Sequence, residues 1–237
     1  MKPCGAPDEP RAIGRAVREL VEKRLAEYRF VPPDARLGER IEKFAAAIAL
    51  WGARMNLTAR PGDASEIAFH IVDSLMPLVI GQRGEAPIIG EAFAQGRRVL
   101  DLGAGAGFPG LVLAAAAPAD FVLAEARRKR ASFLTVTAGE MGLRNVAVEA
   151  VRGDSAKFAA SFDTVIARAL GRPAEFYRMA AAALKAEGVA ILFANPGQRL
   201  ELEAARACGM SECERREYAL GRAGREVKRI LAVWRRN

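Results

Sequence analysis

Residues 97–110 read RRVLDLGAGAGFPG, with glycines at 103, 105, 107 and 110 directly after an apolar run and a carboxylate, Asp101, two residues before the first of them. Gly103, Gly105 and Gly107 can take backbone angles that a β-carbon forbids, so the chain can fold tightly beneath a ligand. Val99, Leu100 and Leu102 read as a buried strand, and Pro109 fits the first turn of a following helix, where its missing N–H costs nothing. A strand, a glycine turn and a helix N-terminus form a site for a nucleotide-like ligand. Gly105, Gly107 and Gly110 also satisfy G-x-G-x-x-G, so the glycines by themselves leave the cofactor open.

Two acids narrow the choice. At the C-terminal end of the strand, Asp101 would repel a pyrophosphate but could accept from an ammonium or a bound water. Glu125 ends the next apolar run, FVLAE, where an acid can take both ribose hydroxyls of an adenosine cofactor. The pair favours S-adenosylmethionine, which carries an amino acid and a sulfonium but no phosphate. Asp101, Gly103, Gly105, Gly107, Phe108 and Glu125 are therefore the candidate cofactor residues here.

Other polar residues are less specific. His70, Asp73 and Ser74 stand at i, i+3 and i+4 of a helical pattern and share one of its faces; such a histidine commonly fixes helix packing. Asn56 and Thr58, in the turn-rich MNLTARPGDASE, can organise that loop through side-chain to backbone bonds. Arg127, Arg128, Lys129 and Arg130 start a helix, where positive charge opposes the macrodipole by ~0.3–1 kcal/mol per charge. That opposition favours a purpose for them.

The elements that position these residues follow from periodicity. Helical spacing runs from Arg11 to about Tyr28, from about Ile41 to Arg54, and from Ser65 to Ile80, while residues 81–95 read as a linker rich in Gly, Gln and Glu. From Arg97 onward strands and helices alternate: strands over Val99–Leu102, FVLAE, and about 146–151, 162–168 and 188–194, and helices at 109–117, in RRKRASFLTVTAGEMGL (127–143), and at about 175–185 and 199–208. Two alternating runs, ECERREYAL and EVKRILAVWRR, close the chain as an antiparallel pair. The expected fold is α/β, a Rossmann-like seven-stranded class I methyltransferase sheet with an N-terminal helical extension. Residues 1–92 form the helical cap and linker, and 93–237 the S-adenosylmethionine domain. No length remains for the second domain of a dehydrogenase.

Composition sets limits. An apolar content of 51% with 27% charged residues is that of an ordinary soluble globule. No apolar run approaches the ~20 residues of a membrane span, and the start, MKPCGAPDEP, has no apolar core for a signal peptide. The expectation is a cytoplasmic monomer with no membrane association. Cys4, Cys208 and Cys213 are odd in number and lack zinc spacing, and His70 is the one histidine, so reduced thiols and no metal are expected. The net charge of +8 lies wholly in residues 93–237, which hold 23 basic and 15 acidic side chains, against 13 of each in 1–92. A basic face beside a cofactor site fits a polyanionic partner.

With NLT at 56–58, HIVDSL at 70–75, DLGAGAGFPG at 101–110, KR at 129–130 and ARAL at 167–170, the sequence resembles the glucose-inhibited division protein B family (RsmG), guanine-N7 methyltransferases of small-subunit (16S) ribosomal RNA. The likeness runs from about Phe44 onward. It implies that Gly103 and Phe108 line the methionine side of S-adenosylmethionine and Glu125 the ribose. Asp154, Ser155 and Ala156, in RGDSAKF, would meet the adenine, and Arg168 would lie at the mouth of the site. Asp154 read without the family is a helix N-cap. The likeness also brings Asn56, His70, Asp73 and Ser74 near the target guanine, as substrate or scaffold residues, and implies ribosomal RNA or the small subunit as partner; by their charge, the basic segments Arg127–Arg130 and Arg222–Arg229 are the ones expected to hold its phosphates. One departure is Pro196, in ANPGQ, where the family usually carries a lysine; Arg168, Arg172 or Arg199 could serve in its place. The rival functions are an NAD-dependent oxidoreductase, which shares the glycine loop and Glu125, and a non-catalytic RNA-binding module, which would keep the basic face alone.

Overall fold

The structure is a computed structural model and describes residues 9–169, 171–222 and 224–237. Cys4 and Leu170, the last residue of ARAL, lie outside the described residues.

Three long helices come first, α1 (Glu9–Glu27), α2 (Leu37–Met55) and α3 (Ala64–Gln82). Helices α1 and α2 bury one stripe each, Val17, Val21 and Leu25 against Ile41, Phe44 and Ile48. The third is buried nearly all round. It is 19 residues long and an 18-residue window of it reaches a mean hydropathy of 1.3, long and apolar enough by composition to cross a membrane, which the sequence pattern did not suggest. Since 72% of that stretch is buried inside the fold, the apolarity answers the packing of a core helix. Asp63 caps it, accepting from the Ser65 and Glu66 amides at 3.0 and 3.1 Å.

The expected linker contains a short helix, α4 (Pro87–Glu91), started by Pro87 and anchored by the buried Ile89. It crosses α3 so closely that a Cβ on Gly81 would stand 2.5 Å from the Cα of Gly90. Two glycines and two isoleucines thus make a packing contact out of a stretch whose composition suggested a loop.

From there β1 (Arg98–Leu102), α5 (Gly110–Ala116), β2 (Asp120–Ala124), α6 (Arg128–Glu140), β3 (Val146–Glu149), β4 (Phe162–Arg168), α7 (Pro173–Ala183), β5 (Leu184–Ala194), α8 (Leu202–Ala207), β6 (Met210–Arg222) and β7 (Arg225–Arg236) complete the chain. They form a seven-stranded sheet of order β3-β2-β1-β4-β5-β7-β6. Strands β1 to β5 run parallel, and β7 inserts antiparallel between β5 and β6, as the terminal alternating runs predict. Boundaries shift modestly: α8 begins only after Glu201, whose φ of +47° is not helical, and an unforeseen 3-10 turn occupies Ala156–Phe158.

Alternate residues of each strand serve two cores. Val99, Phe121 and Ile166 pack with α1 to α6 on one face, while Leu100, Leu102 and Val165 pack with α7 and α8 on the other. The N-terminal helices belong to the first core without a break, through Phe44, Ile67 and Ile71. Strand order reverses between β1 and β4, so the carboxyl ends of those two strands open a crevice where ligands of such sheets bind.

Candidate active site

The glycine loop leaves β1 at this crevice, and Gly103, Gly105 and Gly107 have φ of +72°, +56° and +92°, the left-handed region that favours glycine. Pro109 precedes α5 rather than opening it, after a cis Phe108–Pro109 bond. Four of the loop's amides, those of Gly103, Ala104, Gly105 and Gly107, are spent on the protein. Gly103 and Ala104 donate to the Ala124 carbonyl at 2.9 and 3.1 Å, Gly107 to Ala104 at 2.7 Å, and Gly105 to Glu125 Oε2 at 3.1 Å. A pyrophosphate cradle needs such amides free, so this loop suits a cofactor without phosphate.

Asp101 is buried, 1% exposed, and its Oδ2 accepts the Gly110 amide at 2.9 Å. It therefore ties β1 to the start of α5 from beneath the loop. Burial pushes its carboxyl up to about 7, opposed by the Gly110 amide and the positive charge of Arg168. Glu125 also has a structural task, its Oε1 accepting from the Arg127 amide at 2.8 Å. A carboxylate with about four acceptor positions keeps capacity for ribose hydroxyls.

Arg168, at the end of β4, is the neighbour of the loop across the reversal point. Its Nη1 donates to Asp73 Oδ2 at 3.2 Å and to the His70 carbonyl at 3.4 Å, and its guanidinium carbon lies 4.9 Å over the Phe108 ring. Phe108 in turn meets Phe44 edge-on at 5.0 Å and His70 at 5.5 Å between ring centroids. The helical cap thus reaches the cofactor loop through α2 and α3.

The face of α3 toward the crevice carries Glu66, Phe69, His70 and Asp73, spaced by three or four residues. His70 Nε2 pairs with Glu66 Oε1 at 3.3 Å rather than with Asp73. Burial and the nearby Arg168 push the imidazole down to about 4, against the attraction of Glu66 and Asp73, so His70 is neutral at pH 7. Burial also opposes the Glu66 charge, yet its hydrogen bond with Arg222 and the positive charges of Arg222 and Arg60 hold it below the ordinary carboxylate range. Asp73, 2% exposed, accepts from the Tyr218 hydroxyl at 2.7 Å. Ser74 is fully buried and turns its hydroxyl to the His70 carbonyl at 2.7 Å, within its own helix.

Elsewhere, Asn56 ends α2 in the left-handed region, and its carbonyl accepts from Arg130 at 2.7 Å. Arg128 and Lys129 stay exposed. Asp154 is exposed and paired with Arg152 at 3.3 Å and Arg178 at 3.7 Å. The turn beside it has Ser155 at its start with no side-chain cap, so the N-cap alternative for Asp154 does not hold. Ser155 is half-buried and Ala156 exposed. Among the described residues, no group of three or more His, Cys, Asp or Glu could hold a metal ion. Sequence spacing missed Glu66, Phe69 and Tyr218, though Glu66 was open to detection as a charge four residues before His70 in an apolar run. Arg222 and Arg229, expected to face RNA, fold onto Glu66 and Asp73 and stack on Phe69 at 4.9 and 5.4 Å.

An open sheet of this order, with a glycine loop and two carboxylates at its reversal point, defines a class I Rossmann-like methyltransferase fold. Solved structures share it: M. jannaschii TYW2 in complex with AdoMet, at 18% identity and TM-score 0.51 over 66% of this chain and 77% of that one. The [4+2]-cyclase SpnF matches at 14% identity and TM-score 0.52 over 73% and 96%. At such distances the likeness concerns the fold alone. Sequence carries the assignment further, because the GidB family, rRNA small subunit methyltransferase G, matches residues 38–226, and the chain belongs to that family. Proteins named ribosomal RNA small subunit methyltransferase G are 33% identical in Nitrosococcus oceani, over 68% of this chain and 73% of that protein, and 39% identical in Acidiphilium cryptum, over 70% and 71%. The protein is an S-adenosylmethionine-dependent methyltransferase, and the oxidoreductase and non-catalytic alternatives find no support.

Proposed function

We propose that the chain transfers the methyl group of S-adenosylmethionine to N7 of a guanine in small-subunit (16S) ribosomal RNA. The observation that carries this is the family match over residues 38–226. The loop with four of its amides internally bonded, Glu125 beside it and Phe108 packed on α3 support the cofactor half. In this reading Gly103, Gly105, Gly107 and Phe108 line the methionine side, Glu125 holds the ribose, and Asp154, Ser155 and Ala156 border the adenine. Arg168 meets the amino-acid end, and Asp101 shapes the loop from below.

When bound, the cofactor supplies an electrophilic methyl group on sulfur. Guanine N7 has an exposed lone pair and is unprotonated at neutral pH, so a nitrogen–carbon bond can form as the carbon–sulfur bond breaks, with no proton to remove. The protein's part is alignment and tolerance of positive charge on the purine. A neutral His70, held by Glu66, suits that task because it adds no cation beside the base. Asn56, His70, Asp73 and Ser74 then act as walls and supports of the substrate side rather than as proton carriers.

Exposed Arg128 and Lys129, with Arg127 and Arg130, hold phosphates and present an unpaired base to the crevice. Residues 1–92 serve as the cap over 93–237, and the protein works as a cytoplasmic monomer. The test is incubation of small subunits lacking the modification with the chain and S-adenosylmethionine, then mass mapping of the RNA. One methyl on a guanine, with N7 chemistry shown by borohydride–aniline cleavage, is expected; a methyl on an exocyclic amine or on ribose would refute the proposed chemistry.

A further inference from the structure

The β6–β7 hairpin is remote in sequence from the cofactor loop, yet it touches the group that orients Arg168. Asp73 Oδ1 accepts from the Tyr218 hydroxyl at 2.7 Å and lies 3.7 Å from Arg229 Nε, while Oδ2 accepts from Arg168 Nη1 at 3.2 Å. Arg229 is itself fixed, donating to Asn195 Oδ1 at 2.6 Å. Both hydrogen bonds of Arg168 use Nη1. A guanidinium is a rigid planar fork, so anchoring one nitrogen sets the direction of its other donors. Asp73 faces two guanidinium groups, Arg168 and Arg229, and the other carboxyl that acts on Arg168, Asp101, is engaged by the Gly110 amide. S-Adenosylmethionine carries one anionic group, the carboxylate of its amino acid.

Resting on the methyltransferase reading, we propose that Tyr218 and Arg229 are positioning residues for the cofactor: acting through Asp73, they aim the Arg168 guanidinium at the amino-acid carboxylate of S-adenosylmethionine. Loss of the Tyr218 hydroxyl frees one oxygen of a buried carboxylate to rotate, and the Arg168 fork turns with it. The adenosine half, held at Glu125 on the far side of the loop, is untouched.

The experiment is calorimetric titration of the full chain, without RNA, by S-adenosylmethionine and by 5′-methylthioadenosine, which keeps the adenosine, has a neutral thioether in place of the sulfonium, and lacks the amino-acid moiety with its carboxylate. Tyr218→Phe is expected to weaken S-adenosylmethionine about tenfold, the scale of a hydrogen bond to a charged group, and to leave 5′-methylthioadenosine within about twofold. Arg229→Gln, which loosens the same oxygen while sparing the phenol, should show the same selectivity, so the proposal survives poor folding of either variant. In an Arg168→Gln background, Tyr218→Phe should add no further loss. Equal weakening of both ligands would mean that the hairpin only supports the fold, and unchanged affinity would mean that Arg168 is set without it; either overturns this proposal alone. A wild-type chain that bound neither ligand would overturn the methyltransferase reading as well.

Discussion

The Glu125 carboxylate, just past the end of β2, accepts the amide proton of Gly105 at 3.1 Å, in the loop that leaves β1. The residue proposed to hold the ribose is therefore also a tie on the loop that lies under the cofactor. Glu125→Ala removes acceptors from two backbone amides, Gly105 and Arg127. It should cost about 1–3 kcal/mol of stability and at least tenfold in cofactor affinity. Glu125→Gln, which turns an NH2 toward one of those amides, should fall between. Urea unfolding beside S-adenosylmethionine titration measures both, and a loss of affinity with unchanged stability would show that the loop stands without Glu125.

Gly110 is a second point of dependence. A Cβ there would lie 2.4 Å from Asp101 Oδ2 and 2.4 Å from Leu123 Cδ2, inside any permitted contact. Gly110→Ala must move α5 off β1 and break the Asp101 bond, so a loss of about 2–3 kcal/mol is expected. Cofactor affinity should fall with it. Gly139→Ala, with nothing within 4 Å of the added carbon, is the control, and helix propensity favours it by up to about 1 kcal/mol. If thermal melts rank the two variants together, the close contact does not govern stability.

The fold was legible because its signals are local. Strand FVLAE, the glycine turn and the alternating terminal runs each declare their class within a dozen residues, and the sheet order follows from parallel crossovers plus an antiparallel pair. The site was legible only along the chain. Asp101 was placed correctly at the strand end, but whether it faces a ligand or the Gly110 amide depends on where α5 packs, which periodicity does not carry. His70 was expected to share its helix face with Asp73 and Ser74; its actual partner is Glu66, and Ser74 turns back to the helix backbone. Arg222 and Arg229 looked like an RNA-facing run because sequence shows charge but not the buried carboxylates of α3 that await it.

Within the basic start of α6, the four side chains divide. Arg130 donates to the Asn56 carbonyl at 2.7 Å and joins α6 to the end of α2, whereas Arg127, Arg128 and Lys129 are exposed. Arg128→Glu with Lys129→Glu should weaken RNA binding, reduce the slope of log K against log salt by about 2 or more, and leave S-adenosylmethionine affinity and melting temperature unchanged. Arg130→Ala should lower stability by about 1 kcal/mol, with a smaller effect on the salt slope. Filter binding across a salt series decides it; a double charge reversal that leaves the slope intact would place the RNA elsewhere.

His70 and Asp101 impose opposite pH dependences on stability. The His70 imidazole titrates at about 4 in the fold against an ordinary 6.5, so the unfolded chain binds the extra proton between those values. Its contribution is complete above about pH 6.5 and is lost as pH falls toward 4. Asp101 titrates at about 7 in the fold against an ordinary 3.8. Here the folded chain holds the extra proton, so stability is greatest below pH 3.8 and declines as pH rises to about 7. The effects are at most about 3 kcal/mol for His70 and about 4 kcal/mol for Asp101, and in the wild type they largely cancel. Asp101→Asn, which can still accept the Gly110 amide, should unmask a stability that climbs from pH 4 to 6.5 and exceeds wild type at pH 7. His70→Gln should unmask the decline from pH 4 to 7. Urea midpoints at half-unit pH steps measure both. If the Asp101→Asn profile superimposes on that of the wild type, Asp101 keeps its ordinary titration in the fold, and the buried carboxyl beneath the loop is charged throughout the working range.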